Sequence, residues 1–191
     1  DNRRILKILL DNNKPEISVI EDDFTNEIDI RTNSYRRIIE TNYDCDQQYI
    51  QPIKSFAADS SIMIQAKLTG NKLDYIRIYS WYKYINANSS KANESGHHYG
   101  LYRAIIKDYK IFDRVSKVDL DSEYSSLGYF EYTGNVDFKL TVDELSDISN
   151  MKGDLTIRYD STDLHFDSNS YTQTLPAKYA KELLDTLNNY L

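Results

Sequence analysis

Three histidines, one cysteine and a large set of carboxylates are the residues of this chain that could do acid–base, nucleophilic or metal chemistry. His97 and His98 are adjacent, so on an extended segment they point to opposite sides and do not share a metal ion. His165, in "DLHFD", stands at no spacing from that pair that marks a zinc site. Asp119, Asp121 and Glu123 fall at alternate positions in "DLDSE", where a strand would project all three from one face toward a hard cation such as calcium. The glycine and the terminal glutamate of an EF-hand loop are missing, and "DSTD" at 160–163 is no more specific. Solvated acidic surface, or charges that protect a sheet edge, is the simpler reading of both. Cys45 lies between Asp44 and Asp46, whose charges disfavour a reactive thiolate, and a lone cysteine makes no internal disulfide. No G-x-S-x-G, Walker loop, G-x-G-x-x-G or H-E-x-x-H occurs, and six glycines leave little from which to build a phosphate-cradling loop. The sequence therefore assigns no catalytic residue, no metal and no cofactor. A hydrolase using scattered carboxylates, with or without a metal held by His97, His98 or His165, stays as an alternative function.

Aromatic side chains are the other chemical resource. The stretch "YSWYKYINANSSKANESGHHYG", residues 79–100, runs from an aromatic strand into a polar loop that carries two histidines. Tyr82 and Tyr84 stand near the end of that strand, and Tyr99 and Tyr102 follow the loop. If the two segments pair as neighbours, these rings gather with His97 and His98 at one mouth. Tyrosine gives stiff, amphipathic contact area, so Tyr82, Tyr84, His97, His98, Tyr99 and Tyr102 form the candidate binding patch. High strand propensity alone would also account for tyrosine here.

The elements that must position these residues are mostly strands. In "SIMIQAKLTGNKLDYIRIYSWYKYI", Gly70-Asn71 reads as a two-residue hairpin turn between two runs of period-2 alternation. Closing there pairs Lys67 with Asp74 and puts Ile62, Ile64, Ala66 and Leu68 on one face with Leu73, Tyr75, Tyr79 and Trp81. The opposite face carries Met63, Ile76, Ile78 and Tyr82, so the strand is expected to be internal and covered on both faces. Tyr79 and Trp81 are thus expected in the core. A second hairpin is expected in "SLGYFEYTGNVDFKLTV", turning at Thr133, Gly134 and Asn135. "TVDELSDISNMKG" reads as a short helix near 142–151 with a Thr141–Glu144 capping box, and "DLTIRYD" as a strand. Pro176 opens a closing helix whose stripe Ala180, Leu183, Leu184, Leu187 and Leu191 must lie on the sheet. One or two strands each are expected from "EISVIEDDFTNEIDIRTNSYRRIIE" and from "YRAIIKDYKIFDRVSKVDL", the latter with a turn at Lys107-Asp108. Residues 86–100 and 167–174 read as loops. The fold class is α+β: a largely antiparallel, Tyr-rich sheet with a C-terminal helix packed on it. Residues 1–14 are expected to be a helical or flexible extension and 15–191 a single domain.

Charge narrows the partners. The net charge of −7 is uneven: residues 1–118 hold 18 Lys+Arg against 16 Asp+Glu, and residues 119–191 hold 5 against 14. The acidic part repels phosphates and anionic headgroups, which argues against nucleic acid as a partner. No run approaches the ~18 apolar residues of a membrane-spanning helix. "DDFTNEIDI" at 22–30, "LDYIRIYSW", and the arrangement from "LTVDELSDIS" through "GDLTIRYD" to the final helix together resemble uncharacterised bacterial envelope or secreted proteins. The resemblance implies an Asp-Phe-Thr opening to the sheet, a basic Ile-Arg strand before a docked terminal helix, and a periplasmic or secreted location. The chain departs from that pattern in having no lipid-attachment cysteine near its start. That class carries no assigned activity, so no functional residue follows from the likeness. The expected function is a non-enzymatic binding or structural domain that meets another protein or an envelope component. A small cytoplasmic inhibitor or immunity-type protein, meeting a basic target with its acidic part, is the third reading.

Overall fold

The computed structural model of the chain describes residues 5–11, 14–42, 56–86, 101–113, 115–124, 130–161 and 170–191. Among these residues lie twelve strands, β1 (Ile5–Asp11), β2 (Ile17–Asp22), β3 (Glu27–Thr32), β4 (Tyr35–Asn42), β5 (Phe56–Thr69), β6 (Lys72–Asn86), β7 (Leu101–Ile106), β8 (Lys110–Phe112), β9 (Ser116–Tyr124), β10 (Phe130–Leu140), β11 (Asp154–Ser161) and β12 (Ser170–Pro176). Two helices, α1 (Val142–Ser149) and α2 (Ala177–Leu187), complete them. An eight-stranded sheet runs β1-β4-β5-β6-β10-β9, with β3 also paired to β5 and β2 to β3. A four-stranded sheet runs β12-β11-β7-β8. Every pairing is antiparallel, so the chain is mostly antiparallel sheet with two helices, compatible with the α+β class.

The β5–β6 hairpin turns at Gly70-Asn71 as its sequence predicts. Gly70 takes φ +60°, and its N–H donates to the carbonyl of Asn26 at 2.7 Å, tying this turn to the neighbouring β2–β3 turn. The register beyond the turn differs from the simple hairpin. Leu68 faces Leu73, but Lys67 faces Tyr75, so Asp74 is an extra residue on β6, a β-bulge. Asp74 accepts a hydrogen bond from the Thr69 hydroxyl at 2.6 Å, while Lys67 pairs with Glu27 on β3 at 2.8 Å. Because side chains alternate with period two, one extra residue exchanges the two faces of everything that follows. The buried members of β6 are therefore Ile76, Ile78 and Ser80, whereas Tyr75, Tyr79 and Trp81 are half-buried on the other face. The expected core positions of Tyr79 and Trp81 are corrected accordingly.

Four further expectations are corrected. Gly134 and Asn135 make no turn: β10 runs straight through them, pairing with β6 on one side and β9 on the other, and β9 absorbs the irregularity by leaving Asp119 unpaired. Among the described residues the glycines at positive φ are Gly70 and Gly153, and Gly134 is not one of them. The start of the chain is no helix: Ile5–Asp11 is a strand paired along its length with β4, from Ile5 opposite Asn42 to Asp11 opposite Arg36. A short apolar run is compatible with either element, and a neighbouring strand decides it. The segment 16–40 yields three strands rather than one or two, and Ser170–Pro176 is a strand rather than a loop.

The core lies on the inner face of the large sheet, formed by Ile30, Ile62, Ile64, Ala66, Leu68, Ile76, Ile78, Val136, Phe138 and Leu140. The four-stranded sheet covers one part of it. Phe112 and Tyr159 meet the Phe138 ring at centroid distances of 4.7 and 6.2 Å. Helix α2 covers another part, burying Ala180, Leu183 and Leu187 and setting Tyr179 edge-on against Tyr35 at 5.8 Å. Leu191, expected in the same stripe, is 59% exposed because it lies beyond the helix. Helix α1 starts at the expected capping box, with the Thr141 hydroxyl accepting from the Glu144 N–H at 3.1 Å and the Glu144 carboxylate accepting from the Thr141 N–H at 2.8 Å. The β7–β8 turn, which falls at Lys107–Tyr109 as expected, clamps this helix: Lys110 pairs with Glu144, and Tyr109 donates to Asp147 at 3.0 Å. Burial, then the Asp147 bond, pushes the Tyr109 hydroxyl up to about 12. Glu144 is pulled below the ordinary carboxylate range: burial works against this, but the bonds from Lys110 and the Thr141 N–H outweigh it.

Candidate functional site

The outer face of the large sheet carries the site. Residues directly opposite in antiparallel strands share a face, so the register places Arg31, Gln65, Arg77 and Lys139 in one row across β3, β5, β6 and β10. The neighbouring rows hold Asp29, Lys67 and Tyr75 on one side and Met63, Tyr79 and Asp137 on the other. One row further, Trp81 faces Asn135.

These side chains bond to one another across four strands. Arg31 donates to Asp29 Oδ2 at 2.8 Å, and Gln65 Nε2 donates to Asp29 Oδ1 at 2.8 Å. Arg77 Nε donates to Gln65 Oε1 and Arg77 Nη1 to Asp137 Oδ2, both at 2.8 Å. The Arg77 guanidinium carbon lies 5.3 Å from the ring centroids of both Tyr75 and Tyr79, within cation–π range. Tyr79 donates its hydroxyl to Asn135 at 2.7 Å, and the Lys139 ammonium stands 5.8 Å from the Tyr75 ring. Gln65 and Asp137 are each only 6% exposed although they lie on the side of the sheet away from the core. Asp137 Oδ1 and Arg31 Nε are buried without a hydrogen-bond partner among the described residues. Charge-assisted bonds hold the guanidinium of Arg77 in one orientation, so the face is a fixed surface rather than a set of freely rotating chains.

A second polar cluster lies between the sheets. The hydroxyls of Ser80 and Tyr159 are 2.5 Å apart, and Gln173 reaches the carbonyls of Ser61 and Trp81 at 3.4 and 3.3 Å. Gln173 Oε1 is buried without a partner among the described residues. The third notable charge group, Asp160, is held by Arg103 at 2.5 Å and Arg158 at 2.9 Å on the small sheet. Both of its oxygens are engaged in those pairs, which is a structural arrangement.

The residues singled out from sequence are not all within reach. His97, His98, Tyr99, His165 and Cys45 lie outside the described residues. Tyr82 and Tyr84 belong to β6, opposite Ser60 with Gly134 and Ala57 with Tyr132 respectively, and Tyr102 belongs to β7. Their side chains also lie outside what is described. The condition for their gathering, that the two strands pair, is not met: β6 pairs with β5 and β10, and β7 with β11 and β8. The residues that do come together, Asp29, Arg31, Gln65, Tyr75, Arg77, Tyr79, Asp137 and Lys139, were not singled out. Their signal was the alternation Tyr-x-Arg-x-Tyr-x-Trp at 75–81, read in the wrong phase for want of the bulge. Among the described residues no group of three or more His, Cys, Asp or Glu is placed to hold a metal ion, and no helix is long and apolar enough to cross a membrane.

No family model, no curated protein and no solved structure matches this chain. Function is read from the face itself.

Proposed function

We propose that the chain is a non-enzymatic binding domain that works at or outside the bacterial cell envelope, with the outer face of the large sheet as its recognition surface. The observation that supports this reading is the clamped Arg77, bonded to Gln65 and Asp137 and flanked by two tyrosine rings, at the centre of a half-buried polar and aromatic field. A sheet face meant only for solvent needs neither oriented guanidinium groups nor rings beside them. Preorganised Arg and Tyr side chains lower the entropy lost on binding, which is why such residues dominate contact surfaces. The wider reading of a Tyr-rich sheet dedicated to contact belongs to the same proposal.

The test is cosedimentation of the purified protein with an isolated bacterial envelope fraction. Tyr75→Ala/Tyr79→Ala is expected to abolish cosedimentation while the thermal unfolding transition stays cooperative. A companion variant carries alanine at Tyr82, Tyr84, Tyr99 and Tyr102. If that variant loses the interaction and the outer-face variant keeps it, the recognition surface belongs to the patch first read from sequence. If the unaltered protein does not sediment with the envelope fraction, the envelope reading is wrong.

A further inference from the structure

Three observations on the outer face ask for different groups from one ligand. First, Arg77 and Lys139 are directly opposite in β6 and β10, and Arg31 continues the row through Gln65. Like charges facing each other across a strand pair destabilise a sheet, so the juxtaposition is a local cost to folding. Asp29 and Asp137 offset part of it, but each is already engaged, by Arg31 with Gln65 and by Arg77 respectively. Among the described residues no carboxylate pairs with Lys139. This row wants an anion.

Second, Asp137 Oδ1 is buried beside the row and accepts no hydrogen bond among the described residues. An unsatisfied buried acceptor is costly, and a hydroxyl or amide hydrogen would satisfy it. Third, the half-buried rings of Tyr75 and Tyr79 offer apolar faces with polar tips, suited to a ligand whose own faces are C–H surfaces and whose rim is polar.

We infer that this row takes an extended acidic polysaccharide, a chain of uronate sugars laid across the strands. The inference rests on the outer face being the recognition surface and names what it recognises. A uronate ring brings together all three complements: a carboxylate for Arg77 and Lys139, hydroxyls for Asp137 and Gln65, and a C–H face for the tyrosines. An acidic peptide supplies the carboxylates without the density of hydroxyls. It would also dock most readily on a free strand edge, and β5, β6 and β10 are interior strands. A polyphosphate chain supplies the charge but neither the hydroxyls for Asp137 nor the C–H faces for the tyrosines. The strand spacing of about 4.8 Å puts Arg31 roughly 14 Å from Lys139, so several sugar units can be read at once.

Titration calorimetry of the full chain with oligogalacturonate tests this, alongside cellohexaose, oligoglutamate and oligothymidylate as neutral, peptidic and phosphate-bearing probes. Oligogalacturonate is expected to bind, and to bind more weakly as salt rises from about 50 to about 200 mM, where screening shortens the reach of each charge. Lys139→Gln is expected to weaken it about fivefold, the effect of one solvent-facing charge contact. Lys181→Gln, on the exposed side of α2, is expected to change nothing. Absence of oligogalacturonate binding, or binding indifferent to Lys139→Gln, overturns the inference. Preference for cellohexaose, oligoglutamate or oligothymidylate, abolished by Tyr75→Ala/Tyr79→Ala, overturns the uronate assignment and leaves the face as the recognition surface. Envelope binding that survives Tyr75→Ala/Tyr79→Ala removes both.

Discussion

Along β6 the side chains that alternate inward are Ile76, Ile78 and Ser80, fully covered, and those that alternate outward are Tyr75, Arg77 and Tyr79, half-covered. Along β10 the inward set is Val136, Phe138 and Leu140 and the outward set is Asn135, Asp137 and Lys139. One backbone thus carries two surfaces under different rules. Inward, stability comes from apolar area removed from water and from close packing, where each group contributes by its volume. Outward, order comes from directed bonds between charged and amide groups, where each group contributes by having its partner in place. The inner face can be repacked with other apolar residues of similar volume; the bonded members of the outer face, Asp29, Gln65, Arg77 and Asp137, cannot be altered one at a time without leaving a partner stranded.

The largest effect should come from emptying the inner face. Phe138→Ala, removing a 1% exposed ring that touches Phe112 and Tyr159, is expected to cost about 3–5 kcal/mol in denaturant unfolding. An effect below about 1 kcal/mol would break the comparison, because the inner face would then not be the packed one. Asp137→Ala probes the outer rule. It leaves Arg77 Nη1 without its acceptor, and a cost of about 1–3 kcal/mol is expected although little apolar area is lost. Arg77→Gln/Asp137→Ala together should cost less than the sum of the two single changes, a non-additivity that volume-based packing at Phe138 would not show.

A smaller effect is expected at the helix cap, which is neither face. Thr141→Ala should cost about 1 kcal/mol. The cap also fixes an acid dependence. Because the folded-state pKa of Glu144 lies below its unfolded value, its contribution is fully present above the unfolded value and fades as pH falls through the folded one. Glu144→Gln should therefore flatten the loss of stability on acidification, as followed by thermal melting between neutral pH and pH ~3. The smallest effect on folding belongs to Lys139→Gln, expected within about 0.5 kcal/mol in the same unfolding experiment. That near-silence in stability, set against its effect on ligand affinity, gives the sharpest contrast between the two surfaces.

How much of this was legible in the sequence varied from element to element. The Gly70-Asn71 turn, the Thr141–Glu144 cap and the buried stripe Ala180, Leu183 and Leu187 are set by local chemistry, and the residues say so. The strand nature of Ile5–Asp11 and the passage of β10 through Gly134 are set by neighbours, and a local signal could not tell "TGN" at 69–71 from "TGN" at 133–135. The outer-face cluster was hidden for a third reason. Its members come from β3, β5, β6 and β10, up to 110 positions apart between Asp29 and Lys139, and no spacing rule joins them. Even the row visible within β6 was assigned to the interior, because alternation gives the period of a strand and not its phase.

Asp74 supplies that phase. Losing a single codon at this position, with the turn and the rest of the reading frame intact, would ask β6 to present Tyr75, Tyr79 and Trp81 to the hydrophobic interior and Ile76 and Ile78 to solvent. The side of the molecule that greets the outside world is thereby chosen by one bulged aspartate near a hairpin tip. Relatives of this chain, if they differ in length there by one residue, should be expected to have turned inside out along this strand or to have moved the extra residue elsewhere.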